Sequence, residues 1–119
     1  MDEDKKPQED EKLTQEIQRQ IQELQSHEQI LQNVLMQKQA FQVEFNETEI
    51  ALTELEKTEQ DVFKIIGSII IKSTKNDLKQ ELEKKKELIS VRLKSLEEQE
   101  QKITDMAEKL RNEIMSKLK

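Results

Sequence analysis

Gly67 is the only glycine in a chain of 119 residues that also has a single proline, Pro7. Tight reversals draw on residues that tolerate positive φ or fix φ, so this chain has the material for one sharp turn and little else. The surroundings of the glycine are as unusual as its solitude. It interrupts VFKIIGSIIIKST, Val62 to Thr74, which holds Val62, Phe63 and five isoleucines, whereas the flanking segments are Glu, Gln and Lys with Leu or Ile at regular intervals. Gly-Ser between two β-branched runs is a two-residue hairpin signal of type II′, with Gly67 at the left-handed position. The predicted strands cover about 62–66 and 69–73, so Ile66 faces Ile69 and Ile65 faces Ile70. Both faces of such a ribbon carry isoleucine.

The flanks read as helices. From about residue 11 to 58 apolar residues return every three or four positions, at Leu13, Ile17, Leu24, Leu31, Val34, Phe41, Phe45, Leu52 and Leu55. The same heptad frame passes through Gln20, His27, Lys38 and Thr48, which makes the seam weaker than an ideal zipper. A second helix is predicted from about 76 to 117, with its seam at Leu82, Ile89, Leu93, Leu96, Ile103, Ala107, Leu110 and Ile114. TKND opens it, Thr74 acting as cap and Asp77 answering three residues on. At about 1.5 Å per residue each helix would run roughly 60–70 Å, far longer than a small compact domain is wide. A stripe on a lone helix has to be covered, and the nearest cover is the other helix folded back. A reversal near Gly67 sets partners whose numbers add to about 134, which places Leu24 by Leu110, Leu31 by Ile103, and His27 by the small Ala107. The expected fold is mainly α: a long antiparallel two-helix coiled coil with one β-hairpin at the bend. Residues 1–10, charged and without periodicity, read as a disordered tail.

Composition excludes much else. With 39% charged, 33% hydrophobic and 3% aromatic residues, the chain lacks the apolar bulk of an ordinary enzyme core. It has no cysteine, which removes disulfides, thiolate metal sites and a thiol nucleophile and suits a reducing interior. His27 is the one imidazole, and its place on the seam makes packing a better reading than catalysis or metal binding. A net charge of −6 argues against a phosphate-driven nucleic-acid binder, and the Lys84 to Lys86 run, followed by Glu, reads as a solvated helix face. MDEDKKPQEDEK has no apolar core of a signal peptide, and no stretch approaches the roughly 20 apolar residues that span a bilayer. The expectation is a soluble, intracellular protein without catalytic, cofactor or metal residues.

A two-faced apolar ribbon is marginal alone, and its outer edges invite another strand. Folding back onto its own helix ends would cover too little of it. Assembly through Val62, Phe63, Ile65, Ile66, Gly67, Ile69, Ile70 and Ile71 is the reading we adopt.

Taken together, QVEFNETEIALTELEKTEQ, the hairpin VFKIIGSIIIKST and the returning KNDLKQELEKKKELISVRLKSLEEQEQKI resemble the prefoldin β-type subunit over about residues 13–118. NET at Asn46 to Thr48, VFKIIG, and LEEQE at Leu96 to Glu100 fall in that family's order and spacing. Coiled coils alone resemble many things, but a single hairpin between helices of matched length is more specific. The resemblance implies a hexamer of two α-type and four β-type subunits, with hairpins building an oligomeric β-barrel body and coiled-coil arms extending from it. It also implies an ATP-independent chaperone of the cytoplasm that grips unfolded proteins at the arm ends and passes them to a group II chaperonin. The bare core looks archaeal. In that setting the far ends gain meaning: Ile21, Met106, Met115 and Leu118 lie beside the seam, and methionine suits a surface that must accept many apolar shapes. With Leu13, Ile17, Leu110 and Ile114 they form the expected client-binding set; the bland reading is that they widen the seam. A structural coiled-coil adaptor is the alternative function, although it gives no reason for an apolar hairpin.

Overall fold

The computed structural model describes residues 7–119. The element order is α1 (Pro7–Lys57), β1 (Val62–Ile66), β2 (Ile69–Ser73) and α2 (Lys75–Leu118). The fold is thus mainly helical with one antiparallel hairpin, as the heptad frames and the lone glycine lead one to expect. Of the expected N-terminal tail, residues 1–6 lie outside the described residues, but Pro7 to Asp10 are helical. The correction has a physical cause. Proline at the first helical position forfeits only an N–H that would be unpaired there, and Glu9 and Asp10 in the first turn favour the positive end of the helix dipole.

The chain divides into two compact units: a terminal unit of residues 7–35 with 98–119, and a hairpin unit of Met36–Glu97. In the terminal unit Val34, Ala107, Leu110 and Ile114 are buried, and Ile17, Leu24, Leu31 and Ile103 are half-buried. The polar frame positions Gln20 and His27 are half-buried beside them. Gln20 is held across the seam, donating to Glu113 Oε2 at 3.4 Å and accepting from Lys117 Nζ at 3.0 Å. Lys117 also donates to Glu16 Oε1 at 2.6 Å. These pairs have residue numbers adding to between 133 and 137, the antiparallel offset expected from a turn at Gly67. Leu13 is the exception in the predicted seam. It is exposed, because the same offset pairs it with a position past Leu118, where α2 ends.

In the hairpin unit Leu55, Ile89 and Leu96 form the buried seam, with Leu96 only 1% exposed. Full burial of one such leucine contributes about 2 kcal/mol. Phe41, Phe45, Leu52, Leu82 and Leu93 are half-buried around them. Thr48 is buried as well, and its hydroxyl is satisfied locally by donating to the Glu44 carbonyl at 2.8 Å. In the lysine run Lys84 and Lys85 are exposed as a solvated face requires, and Lys86 alone is half-buried. Lys86 lies 5.5 Å from the Phe45 ring centroid and Lys85 pairs with Glu44 at 3.3 Å, because the heptad frame of α2 carries Lys86 onto the seam. Arg92 covers the Phe41 ring in the same manner at 5.9 Å.

The connections between elements are capped from both sides. The Asp77 N–H donates to Thr74 Oγ1 at 3.1 Å, which satisfies one of the free donors at the start of α2. Lys75 Nζ donates to the Glu56 and Thr58 carbonyls at 2.9 and 3.4 Å, closing the carbonyl end of α1. The two strands pair Val62 with Ser73, Lys64 with Ile71, and Ile66 with Ile69. Gly67 has φ +59°, and no other described residue has positive φ, so the turn combines a left-handed first position with a right-handed second one, as type II′ requires.

Candidate functional site

Alternation along the strands sorts the hairpin into two faces. Val62, Lys64 and Ser73 are half-buried on one of them, and Lys64 is anchored to Glu81 of α2 at 2.9 Å. The other face, Phe63, Ile65, Ile70 and Lys72, has no cover: Ile65 is 75% exposed, Ile70 68% and Phe63 56%. Ile66, Ile69 and Ile71 remain exposed even on the first face. Of the eight hairpin residues singled out by sequence, six large side chains are therefore open to solvent and only Val62 is partly covered. From these exposures the apolar area is on the order of 600 Å², at the upper end of patches found on isolated monomers. The sheet has two strands only, so each presents an unpaired outer edge.

The terminal unit carries the second surface. Ile21, Met106, Met115 and Leu118 are exposed there, as is Leu13. Ile17 is half-buried, whereas Leu110 and Ile114 are 8% and 6% exposed and belong to the seam. Those two are unavailable to a partner while the helices stay paired, because the heptad frame turns them inward. Met106 and Leu110 share a shallow groove with His27, Glu23, Lys109 and Glu113. His27 Nε2 is 3.7 Å from Glu23 one turn earlier, and its ring packs at the seam. Ile30 and Leu35 are exposed apolar residues in this unit that sequence reading passed over. The signal was present, since both fall outside the seam positions of the frame.

Ion pairs flank both surfaces. Lys117 donates to Glu16, and this hydrogen bond with the attendant charge attraction lowers the Glu16 carboxyl below its ordinary value of 4.5. Lys79 does the same for Glu56 across 3.1 Å, and Glu56 in turn raises Lys79 above 10.5. The described residues contain no His, Cys, Asp and Glu cluster able to hold a metal ion, and no helix long and apolar enough to cross a membrane. What the two surfaces offer chemically is apolar contact and open strand edges.

A family model described as "Prefoldin subunit" matches residues 9–119. The prefoldin subunit beta of Pyrococcus furiosus is 41% identical over 95 residues, spanning 78% of this chain and 81% of that one. That of Pyrobaculum islandicum is 42% identical over 90 residues, 74% and 72% of the two chains. Among solved structures, the prefoldin beta subunit from Thermococcus strain KS-1 superposes with a TM-score of 0.79 at 38% identity, covering 85% of this chain and 90% of that one. These matches, over nearly the whole of two helices joined by a single exposed hairpin, place the chain in a class of coiled-coil chaperone subunits. The chain belongs to the prefoldin β subunit family.

Proposed function

We propose that this chain is the β-type component of a cytoplasmic, ATP-independent holding chaperone. Four copies join two α-type subunits through their hairpins, which form a closed β-barrel body. The terminal units bind unfolded proteins, keep them from aggregating and release them to a group II chaperonin. Membership in the family supports the assembly as a whole, and one observation carries the role of the hairpin: six large apolar side chains are exposed on a ten-residue ribbon whose edges are both unpaired. Barrel closure removes the edges and buries the face of the ribbon that turns inward. No step in this scheme calls for catalysis, since holding an unfolded chain needs only apolar contact. The exposed Ile21, Met106, Met115 and Leu118 supply that contact, with methionine adapting to varied shapes.

The test is the mass of the chain in solution, measured by sedimentation alone and after mixing with an archaeal α-type prefoldin subunit. A hexameric mass in the mixture is the expected result. A monomer that persists in both samples would remove the proposal.

A further inference from the structure

One strip of the outward face of α1 in the terminal unit is free of charge, with the exposed Arg19 standing to one side of it. Opposite the seam, at alternating steps of three and four, stand Gln15, Gln18, Gln22, Gln25, Gln29 and Gln32, all exposed. Such a run is unexpected in a chain with 39% charged residues, where an outward helix face is ordinarily a mixture of Lys and Glu. The equivalent face of α2 in the same unit follows the ordinary rule with Glu98, Asp105 and Glu108. Its glutamine, Gln101, is also engaged, donating to Asp105 Oδ1 at 2.9 Å. By contrast, none of the six α1 amides has a hydrogen-bond partner among the described residues, so each keeps both its donor and its acceptor open.

We propose that this glutamine strip binds the backbone of an unfolded polypeptide, pairing its amides with peptide N–H and C=O groups. The inference rests on the chaperone reading above and extends the client-binding surface beyond apolar contact. Three features of the strip fit this occupant. A carboxamide both donates and accepts, which is the chemistry of the peptide group itself. The strip is neutral, so an unfolded chain of either charge can lie along it without the like-charge repulsion that the acidic remainder of the protein would impose on acidic segments. From Gln15 to Gln32 the helix rises about 25 Å, the length of seven or eight extended residues. Amides step along the helix by about 5 Å and peptide groups on one side of an extended strand by about 7 Å, a mismatch that flexible glutamine side chains absorb. Each bond adds little because water competes for it, and the strip acts by having many of them together. Weak, sequence-blind pairing is what a surface for varied unfolded chains requires.

The experiment uses the complex of this chain with an α-type subunit. In one variant Gln18, Gln22, Gln25 and Gln29 all become Ala, which removes the amides and favours the helix; in a second all four become Lys. Each is assayed for suppressing aggregation of two urea-unfolded, reduced and amidomethylated proteins, basic lysozyme and acidic α-lactalbumin, alongside helical circular dichroism and sedimentation. The alanine variant is expected to keep its helicity and mass while needing about two- to fivefold more complex to protect either protein. The lysine variant is expected to keep protection of α-lactalbumin and lose it for lysozyme. Unchanged protection of both proteins by the alanine variant would overturn the strip. So would a fall in its assembled mass, which would make the face a contact between copies of this chain. A wild-type complex that protects neither protein would instead remove the chaperone reading on which the strip rests.

Discussion

The hairpin ribbon and the terminal unit both expose apolar side chains, yet they do so with different chemistry. In the hairpin the exposed residues are isoleucines and one phenylalanine on a paired ribbon, stiff at χ1 and fixed in register by a II′ turn. In the terminal unit they are Leu13, Ile21, Ile30, Leu35, Met106, Met115 and Leu118 on helix surfaces, beside a seam broken by Gln20 and His27. A stiff ribbon with unpaired edges suits one partner of fixed shape. Flexible side chains on a polar-interrupted seam suit partners of many shapes. On the function proposed, the contrast lets one chain of low apolar content assign assembly to one unit and client contact to the other.

The sharpest break of this comparison is made at Gly67. A Cβ there meets nothing within 4 Å, so any cost of a side chain is conformational and not steric crowding. Gly67→Val places a β-branched residue at φ +59°, which costs on the order of 1–3 kcal/mol and disturbs the ribbon's register. Assembly with the α-type subunit should be lost or strongly weakened in sedimentation, while helical circular dichroism of the chain stays near the wild-type value. A variant that assembles normally would contradict the role given to the turn.

A smaller effect sharpens the comparison through pH, because each unit has its own ion pair. Glu16 and Glu56 both have lowered carboxyl values in the folded chain, set chiefly by hydrogen bonds from Lys117 and Lys79. Their stabilising contribution is therefore complete above the ordinary 4.5 and is lost as pH falls through the lowered folded values. Lys79 is raised, so its contribution is complete below 10.5 and is lost as pH rises through the raised value. Both pairs are solvent-exposed, and screening keeps the effect small. Glu16→Gln and Glu56→Gln should each flatten the acid limb of Tm against pH by about a degree. Thermal melts between pH 6 and 3 check this; an unchanged limb in both variants would show that the pairs contribute nothing in solution.

Much of this fold could be read from residues alone, for reasons visible in particular elements. The II′ hairpin follows from one glycine between β-branched runs, and the seam from heptad spacing, because backbone conformation and burial face depend on local pattern. Thr74 as the cap of α2 was legible on the same ground. The start of α1 was not, since Pro7 among charges resembles a tail until its place at the first helical position is known. Nor was the placement of Lys86 over Phe45, or the Lys117, Gln20 and Glu16 cluster. Those depend on where long, flexible side chains reach across an antiparallel offset. Leu110 and Ile114 stand both on the predicted seam and in the expected client-binding set, and the structure buries them in the seam.

The central claim, that assembly and client contact belong to different units, is tested most directly by replacing Ile21, Met106, Met115 and Leu118 together with Ser. Their exposed apolar area, on the order of 300 Å² from the observed exposures, corresponds at about 25 cal/mol per Å² to several kcal/mol of potential contact, of which only part appears as affinity. Light scattering of a chemically unfolded protein diluted into buffer with the assembled complex is the measurement, with sedimentation of the same sample. The account predicts an intact hexamer whose protection falls severalfold. A variant that assembles and protects as well as the wild type would contradict it.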